Sequence, residues 1–161
     1  MEEEPQTVSL IYYGISPWEI EVIYDIFNGK FSILQEETEQ NKENFVSALT
    51  IDISLPFNEE FFKWFEFKAW EKVKSIIKEM KRRRGKGNAI MIESVFAGKP
   101  SVRFVIDSNE SHNFNSAIEK IDFVVELLPY HLNDNNMPND PTEVSYKYDV
   151  GSGKWKLDSI I

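Results

Sequence analysis

The chain has 161 residues, the size of one ordinary domain with a hydrophobic core. Hydrophobic residues make up 42% and charged residues 28%, as in soluble globular proteins, and the absence of cysteine excludes disulfides and thiolate chemistry. The formal net charge of −9 argues against binding of nucleic acid or anionic membranes by the whole surface. No apolar run approaches the roughly 20 residues of a membrane helix, so we expect a cytoplasmic protein that does not enter a membrane.

The first strand and the first helix have the clearest signals. Residues 7–13 are β-branched and aromatic, which favours a strand. Ser16 is a good N-cap, and Glu19 three residues later completes a capping box. Because Gly29 is a natural stop, the pattern predicts a helix over 17–28.

Two strands and a long helix are predicted next. A strand begins over 31–34, and residues 36–44 are acidic, polar and without period, which is typical of a mobile hairpin loop. Apolar and polar residues alternate within 45–55, which predicts a half-buried strand. Apolar residues then recur at helical spacing over 57–83, and Gly85 follows as a stop.

Two β-hairpins and one more helix complete the chain. The runs 89–97 and 101–107 predict the first hairpin, with Gly-Lys-Pro between them. A third helix is predicted over 114–128, which Pro129 ends or kinks. After a predicted loop at 133–142, the runs 144–149 and 154–158 flank Gly-Ser-Gly and predict the last hairpin.

These elements follow each other as β-α-β-β-α-β-β-α-β-β in a single domain over 1–161, after an acidic tail at 1–6. Strands that arrive mostly as hairpins predict an α+β fold, with a mostly antiparallel sheet and helices on one face. The first six elements match the order of a ferredoxin-like split unit, which is an agreement in element order alone.

One basic run stands out in this acidic chain. Residues 78–86 contain six cations and one acid, Glu79, so this segment has a net charge of +5. The rest of the chain therefore has a net charge of −14. The cations are Lys78, Lys81, Arg82, Arg83, Arg84 and Lys86. Because arginine makes paired hydrogen bonds to phosphate, the run is a candidate anion-binding site. The alternative is a solvated helix end whose cations satisfy the helix dipole.

The second candidate site is apolar. At about 100° per residue, Trp64 and Phe67 point away from the main stripe of the long helix. Phe123, Leu127 and Tyr130 form a second apolar line on the third helix. A helix that is apolar on two sides is either sandwiched inside the protein or covered by a partner, and both interpretations stay open.

No catalytic or cofactor motif marks the chain. The basic run lacks P-loop spacing, the two histidines flank a helix too far apart to share a metal, and no serine sits in a nucleophile elbow. We therefore expect a non-enzymatic interaction module, without cofactor or metal, that binds a protein partner or itself through the aromatic residues. The alternatives are binding of nucleic acid or a phosphate ligand by the basic run, and an acidic, immunity-like inhibitor that neutralises a basic enzyme.

Overall fold

The computed structural model describes residues 6–85, 90–133 and 140–161, which form an α+β fold around one seven-stranded mixed sheet. The strands are β1 (Thr7–Tyr13), β2 (Ser32–Glu37), β3 (Ser47–Ile53), β4 (Ile90–Phe96), β5 (Ser101–Ile106), β6 (Glu143–Asp149) and β7 (Lys154–Ile160). The helices are α1 (Pro17–Asn28), α2 (Glu59–Phe65), α3 (Phe67–Arg84), α4 (Ser111–Lys120) and α5 (Val124–Leu132), with a 3₁₀ turn at Ile121–Phe123. Most of the predicted tail, Lys86 and residues 134–139 of the last predicted loop lie outside the described residues.

The sheet is mixed rather than mostly antiparallel, so that part of the predicted fold is wrong. The strands lie in the order β2-β1-β3-β4-β5-β6-β7. Three neighbouring pairs are parallel, β1 with β2, β3 with β4 and β5 with β6, and the other three are antiparallel. The reason is that each helical segment is a crossover between two adjacent parallel strands.

The same topology corrects two finer predictions. Residues 36–44 do not close a hairpin, because β1 lies between β2 and β3, and β2 continues through Glu37. The ferredoxin-like arrangement is also absent, since a split unit separates its parallel strands by a third strand, whereas β1 and β2 are direct neighbours. The two later hairpins, β4 with β5 and β6 with β7, are antiparallel pairs as the sequence predicts.

All the helices lie on one face of the sheet. The α2 segment and the residues before it pack rings onto β4 and β5, with the Phe61 ring centroid 5.1 Å from that of Phe96 and that of Phe57 4.9 Å from Phe104. On β7 the Trp155 indole donates a 2.9 Å hydrogen bond to the α4 carbonyl of Ala117. Helix α3 contacts both α1 and α4, so the helices form one layer over one core.

The three crossovers do not share one handedness. β3 runs opposite to β1, and the step from β3 to β4 crosses the sheet in the direction opposite to the step from β1 to β2. Those two crossovers therefore wind the same way. β5 runs in the same direction as β1, but the step from β5 to β6 crosses the sheet away from β2, whereas the step from β1 to β2 goes the other way. Because α4 and α5 lie on the same face as the other helices, this third crossover has the opposite handedness. Such mixing is unusual, because crossovers of this kind are right-handed in about 98% of proteins.

The predicted helix boundaries change where core packing demands it. The predicted helix 57–83 is in fact two helices, because the backbone breaks at Glu66 with φ of 70°. The break lets the rings of Phe61 and Phe65 on α2 join the same core as Trp70 on α3, where one straight helix presents them at diverging angles. The predicted helix 114–128 is divided by the 3₁₀ turn, and Pro129 lies inside α5 without ending it.

Helix α1 has the predicted bounds and the predicted capping box. The Ser16 side chain accepts a hydrogen bond from the Glu19 backbone N–H at 3.2 Å, and the Glu19 carboxylate accepts one from the Ser16 backbone N–H, also at 3.2 Å. This exchange satisfies two donors at the start of the helix.

Two glycine substitutions should have opposite effects on stability. Gly14 follows β1 at φ +67°, and a Cβ there would lie 2.2 Å from the Val46 carbonyl oxygen. We expect Gly14→Ala to lower the free energy of unfolding by about 2–4 kcal/mol through backbone strain and this clash. Gly29→Ala is the matched control, because its Cβ would meet nothing within 4 Å. It should be neutral or stabilising by up to about 1 kcal/mol. Urea unfolding followed by circular dichroism tests the pair, and equal effects would contradict this account.

Candidate functional site

The five aromatic or aliphatic residues predicted to bind a partner are all exposed. Their exposed fractions are 44% for Trp64, 59% for Phe67, 62% for Phe123, 45% for Leu127 and 78% for Tyr130. Large apolar side chains are usually buried, so a group this exposed requires an explanation.

Helix α5 is apolar on two sides. One side packs into the core through Val124 and Leu128. Phe123, Leu127 and Tyr130 follow each other at intervals of four and three residues, so they lie along one exposed stripe. We call these three residues the α5 patch.

A groove runs along each flank of α5. The larger, of about 480 Å³, lies between α5 and the α2–α3 break; its lining residues are Glu59, Phe62, Lys63, Phe67, Asp122, Val125 and Glu126. Within it the Phe62 and Phe67 rings stack with centroids 4.8 Å apart. The smaller groove, of about 250 Å³, lies towards β7 and is lined in part by Phe123 and Leu127. The α5 patch and Phe67 therefore lie on opposite flanks of one exposed helix.

Trp64 does not join this surface. It lies at the end of α2 nearest α1, where the Lys30 ammonium is 5.9 Å from the centroid of its ring. The structure thus places three of the five predicted partner-binding residues on one stripe of α5, the fourth, Phe67, across the helix in the larger groove, and the fifth elsewhere.

A buried charge cluster fixes the start of α5. The Asp122 carboxylate in the 3₁₀ turn accepts a 2.5 Å hydrogen bond from the Trp70 indole and a 2.9 Å hydrogen bond from the Lys74 ammonium. Lys74 is also 2.7 Å from Glu71. Burial alone would lower the pKa of Lys74, but its hydrogen bonds to Glu71 and Asp122 raise the pKa above its usual value. The buried ammonium therefore stays charged and ties the turn to α3.

A second contact holds the other end of α5. His131 Nδ1 is 2.7 Å from the hydroxyl of Tyr146, which is fully buried on β6. Burial raises the pKa of Tyr146 to about 12, so the phenol stays neutral. Both ends of α5 are therefore attached to the core by side-chain hydrogen bonds.

Arg84, at the C-terminal end of the basic run, is a structural residue. Its guanidinium makes a bidentate pair with the buried Glu19 carboxylate, at 2.8 and 2.9 Å. It also donates to the carbonyls of Met80 and Gly14 and to the Ser47 hydroxyl, at 3.0, 3.2 and 3.1 Å. The Arg84 guanidinium holds the pKa of Glu19 at about 2, against the opposing effect of burial. Arg84 thereby joins α3 to the ends of β1 and β3 and to the first turn of α1.

The other described cations of the run also have partners within the protein. Lys81 is 1% exposed and donates to the Asn109 carbonyl at 2.8 Å. Arg82 and Arg83 share the Glu79 carboxylate, and Lys78 pairs with Glu119. The Arg83 guanidinium also lies 4.3 Å from the centroid of Trp18. Among the described cations of the run, Arg82 and Arg83 have the most solvent-accessible side chains, and the predicted anion binding remains a prediction.

The face of the sheet opposite the helices carries an ion-pair network. Glu93 on β4 and Arg103 on β5 form a cross-strand ion pair, and the Arg103 Nε is 2.5 Å from the Glu143 carboxylate on β6. The network joins three strands, which is a structural role.

Sequence reasoning missed three features of these surfaces. Trp18 is exposed beside Arg83, and its position off the apolar stripe of α1 was the available signal. The role of Asp122 has no local signal, because its partners lie 48 and 52 residues away. The exposed edge of β2 could not be predicted, because it depends on the strand order.

Neither the described part of the structure nor comparison with known proteins assigns a membrane span, a metal site or a family. Among residues 6–85, 90–133 and 140–161, no helix combines the length and apolarity needed to cross a membrane. The same residues contain no group of three or more histidine, aspartate or glutamate side chains that could hold a metal ion. The chain matches no protein-family model, no curated protein and no solved structure.

Proposed function

We propose that this protein is a non-enzymatic interaction module that binds a protein partner through the α5 patch. The observation that carries the proposal is the exposure of Phe123, Leu127 and Tyr130 along one side of a helix whose other side already fills the core. Burying a large apolar side chain contributes roughly 1.5–3 kcal/mol, so covering three of them supplies a substantial part of a binding free energy.

The grooves beside α5 favour an interface of ordinary protein–protein character. Partner side chains that enter the groove between Phe67 and Val125 would meet an apolar floor. Aromatic residues in such positions frequently dominate binding energy, while the surrounding polar contacts exclude water. The attachment of both ends of α5 to the core limits the ordering cost of association.

The charges around the larger groove favour a basic partner. Its rim carries Glu59 and Glu126 against one cation, Lys63, since the third acid, Asp122, is already neutralised by Lys74. The net charge of −9 acts in the same direction and would accelerate association with a basic protein at low salt. Inhibition of a basic enzyme is a specific case of this proposal.

A comparative pull-down tests the proposal. The double substitution Phe123→Lys with Tyr130→Lys places two charges on the patch, and we expect it to lose a partner that the wild-type protein captures from a lysate of its source. Trp64→Lys is the matched control, because Trp64 is exposed on a different surface, and it should retain that partner. Nuclease treatment and mass spectrometry separate a protein partner from nucleic acid.

Three results would contradict the proposal. The partner could be lost equally from the Trp64 variant, its capture could depend on nucleic acid, or the double variant could unfold. Circular dichroism checks the third result, and we expect a native spectrum because both side chains point into solvent. For an identified partner, titration should show a loss of at least about 2 kcal/mol, or roughly thirtyfold in Kd.

A further inference from the structure

We propose that the outer edge of β2 binds an extended basic segment of another protein, which adds as an eighth strand to the sheet. The proposal concerns a surface remote from α5, at the opposite end of the helical layer, and it stands independently of the function proposed for the α5 patch. It rests on the backbone geometry of β2, on its partial edge protection and on the charges around the strand.

The backbone geometry identifies the groups that face outward. β2 pairs only with β1, in parallel and without a register shift, and it is the end strand of the sheet. The backbone N–H groups of Ser32 and Thr38 donate inward, to the carbonyls of Gln6 and Tyr12 at 2.9 and 2.8 Å. Because backbone groups alternate in direction along a strand, the N–H and C=O groups between them that point outward are those of three residues. These are Ile33, Gln35 and Glu37.

The β2 edge carries only part of the protection that natural edge strands have. It has no lysine, proline or β-bulge over its six residues, and its charged side chains are two glutamates, which repel an acidic strand but not a basic one. It also exposes Leu34, at 63%, near its centre. The other edge of the sheet provides an internal contrast, because β7 carries Lys154 and Lys156 and pairs with β6 across a bulge.

The charges around β2 select the occupant. Glu36 and Glu37 lie on the strand, and Glu39 and Glu43 follow it, all four exposed. Helix α1, which packs against β2, adds exposed Glu21 and Asp25. Two cations lie nearby: Lys42 is engaged with Glu93, and Lys30, two residues before β2, has its ammonium near the Trp64 ring, so acidic groups still outnumber cations around the strand. Like charges placed opposite each other destabilise strand pairing, so this edge disfavours a second copy of itself and favours a strand that carries lysine or arginine.

Hydrogen exchange with a defined peptide tests the pairing directly. The probe is a blocked hexapeptide of alternating lysine and valine, and the readout is the NMR exchange rate of individual amides. In the free protein the outward amides of Ile33, Gln35 and Glu37 should exchange rapidly, and the peptide should slow them by about tenfold or more, while the amides of β7 stay unchanged. A peptide of alternating glutamate and valine is the control and should have no effect. Unchanged exchange at these three amides with the lysine peptide would overturn the proposal.

Substitutions separate strand addition from simple charge attraction. Gln35→Pro removes one outward N–H but leaves the pairing with β1, since proline is tolerated at the outward positions of edge strands. It should weaken binding of the lysine peptide about tenfold, whereas Gln35→Thr should not. If the proline variant does not fold, a lysine–valine peptide with N-methylated backbone amides provides the second test, because it keeps the charges but removes the backbone donors, and it should not bind. Equal binding by Gln35→Pro and wild type would overturn the proposal in favour of charge attraction.

Two further measurements keep this proposal distinct from the first. Sedimentation of the free protein should show no association through β2, and dimers that Gln35→Pro abolishes would instead assign the edge to a second copy. The Phe123→Lys, Tyr130→Lys variant should bind the lysine peptide as wild type does. Failure at the α5 patch therefore leaves the β2 proposal intact, and the reverse also holds.

Discussion

Replacing Arg84 with alanine should lower the free energy of unfolding by about 3–5 kcal/mol. The substitution removes a bidentate partner from the Glu19 carboxylate, which is buried and has no comparable cation within reach in the described structure. It also removes hydrogen bonds to the carbonyls of Gly14 and Met80 and to the Ser47 hydroxyl. An uncompensated buried charge dominates the expected loss.

Arg82→Ala is the matched control for this prediction. Arg82 belongs to the same basic run, but its side chain is solvent-exposed and pairs with Glu79 on the surface of the same helix. Exposed pairs of this kind contribute about 0–1 kcal/mol. Urea unfolding of the two variants measures both effects, and a loss at Arg84 no larger than that at Arg82 would refute the structural role of Arg84.

The same pair predicts an acid-dependent loss of stability. The pKa of Glu19 is about 2 in the folded protein and 4.5 as an unperturbed value, so the folded state binds its proton less tightly than the unfolded state. Its contribution, about 3 kcal/mol from this difference, is fully present above pH 4.5 and is lost as the pH falls towards 2. Glu19→Gln should flatten the stability profile between pH 4.5 and 2. A variant that loses as much stability as the wild type over this range would contradict the assignment of the loss to Glu19.

Replacing Asp122 with alanine should lower the free energy of unfolding by about 3 kcal/mol and also alter the α5 patch. The substitution leaves the Trp70 indole N–H without its acceptor and removes one of the carboxylates that neutralise the buried Lys74. Because Asp122 lies in the turn that leads into α5, the position of Phe123 should change as well. Partner binding should therefore weaken even though Asp122 is not itself exposed on the patch.

Glu119→Gln is the control for Asp122. Glu119 is half-exposed and lies 3.7 Å from Lys74, so its substitution should change stability by less than about 1 kcal/mol and leave the patch in place. Urea unfolding measures the first effect for both variants. Titration with an identified partner measures the second, and full binding by Asp122→Ala would show that the turn does not position α5.

Local signals explain which elements could be predicted from the sequence. The capping box of Ser16 and Glu19 and the two hairpins depend on residues a few positions apart, and the structure confirms all three. The order of the strands does not depend on such signals. β1 separates β2 from β3 because of pairings across the sheet, and alternation along one strand says nothing about which neighbour it chooses.

Competition between local and tertiary preferences explains the wrong helix boundaries. The helical spacing of apolar residues continues past Glu66, so periodicity alone favours one helix. The strained φ of Glu66 is accepted because it lets two sets of rings fill one core.

The candidate surfaces were predictable to different degrees. The spacing of Phe123, Leu127 and Tyr130 predicts that they lie on a side of the helix away from its core-facing residues, but their exposure is known only from the structure. The inward orientation of Lys81 and Arg84 does not follow from spacing, because their partners Asn109 and Glu19 lie 28 and 65 residues away in sequence. The number of cations in a sequence run therefore does not show how many of them are accessible to a ligand.

The opposite handedness of the third crossover determines whether the helices form one layer or two. If the third crossover had the handedness of the first two, α4 and α5 would lie on the opposite face of the sheet. They would then cover the ion pairs of Arg103. The helices would then form two separate half-layers, and the contact between Lys74 on α3 and Asp122 could not exist. One reversal of handedness thus places all the helices of the described structure in one continuous layer, and leaves the ion pairs of Arg103 on the opposite face of the sheet.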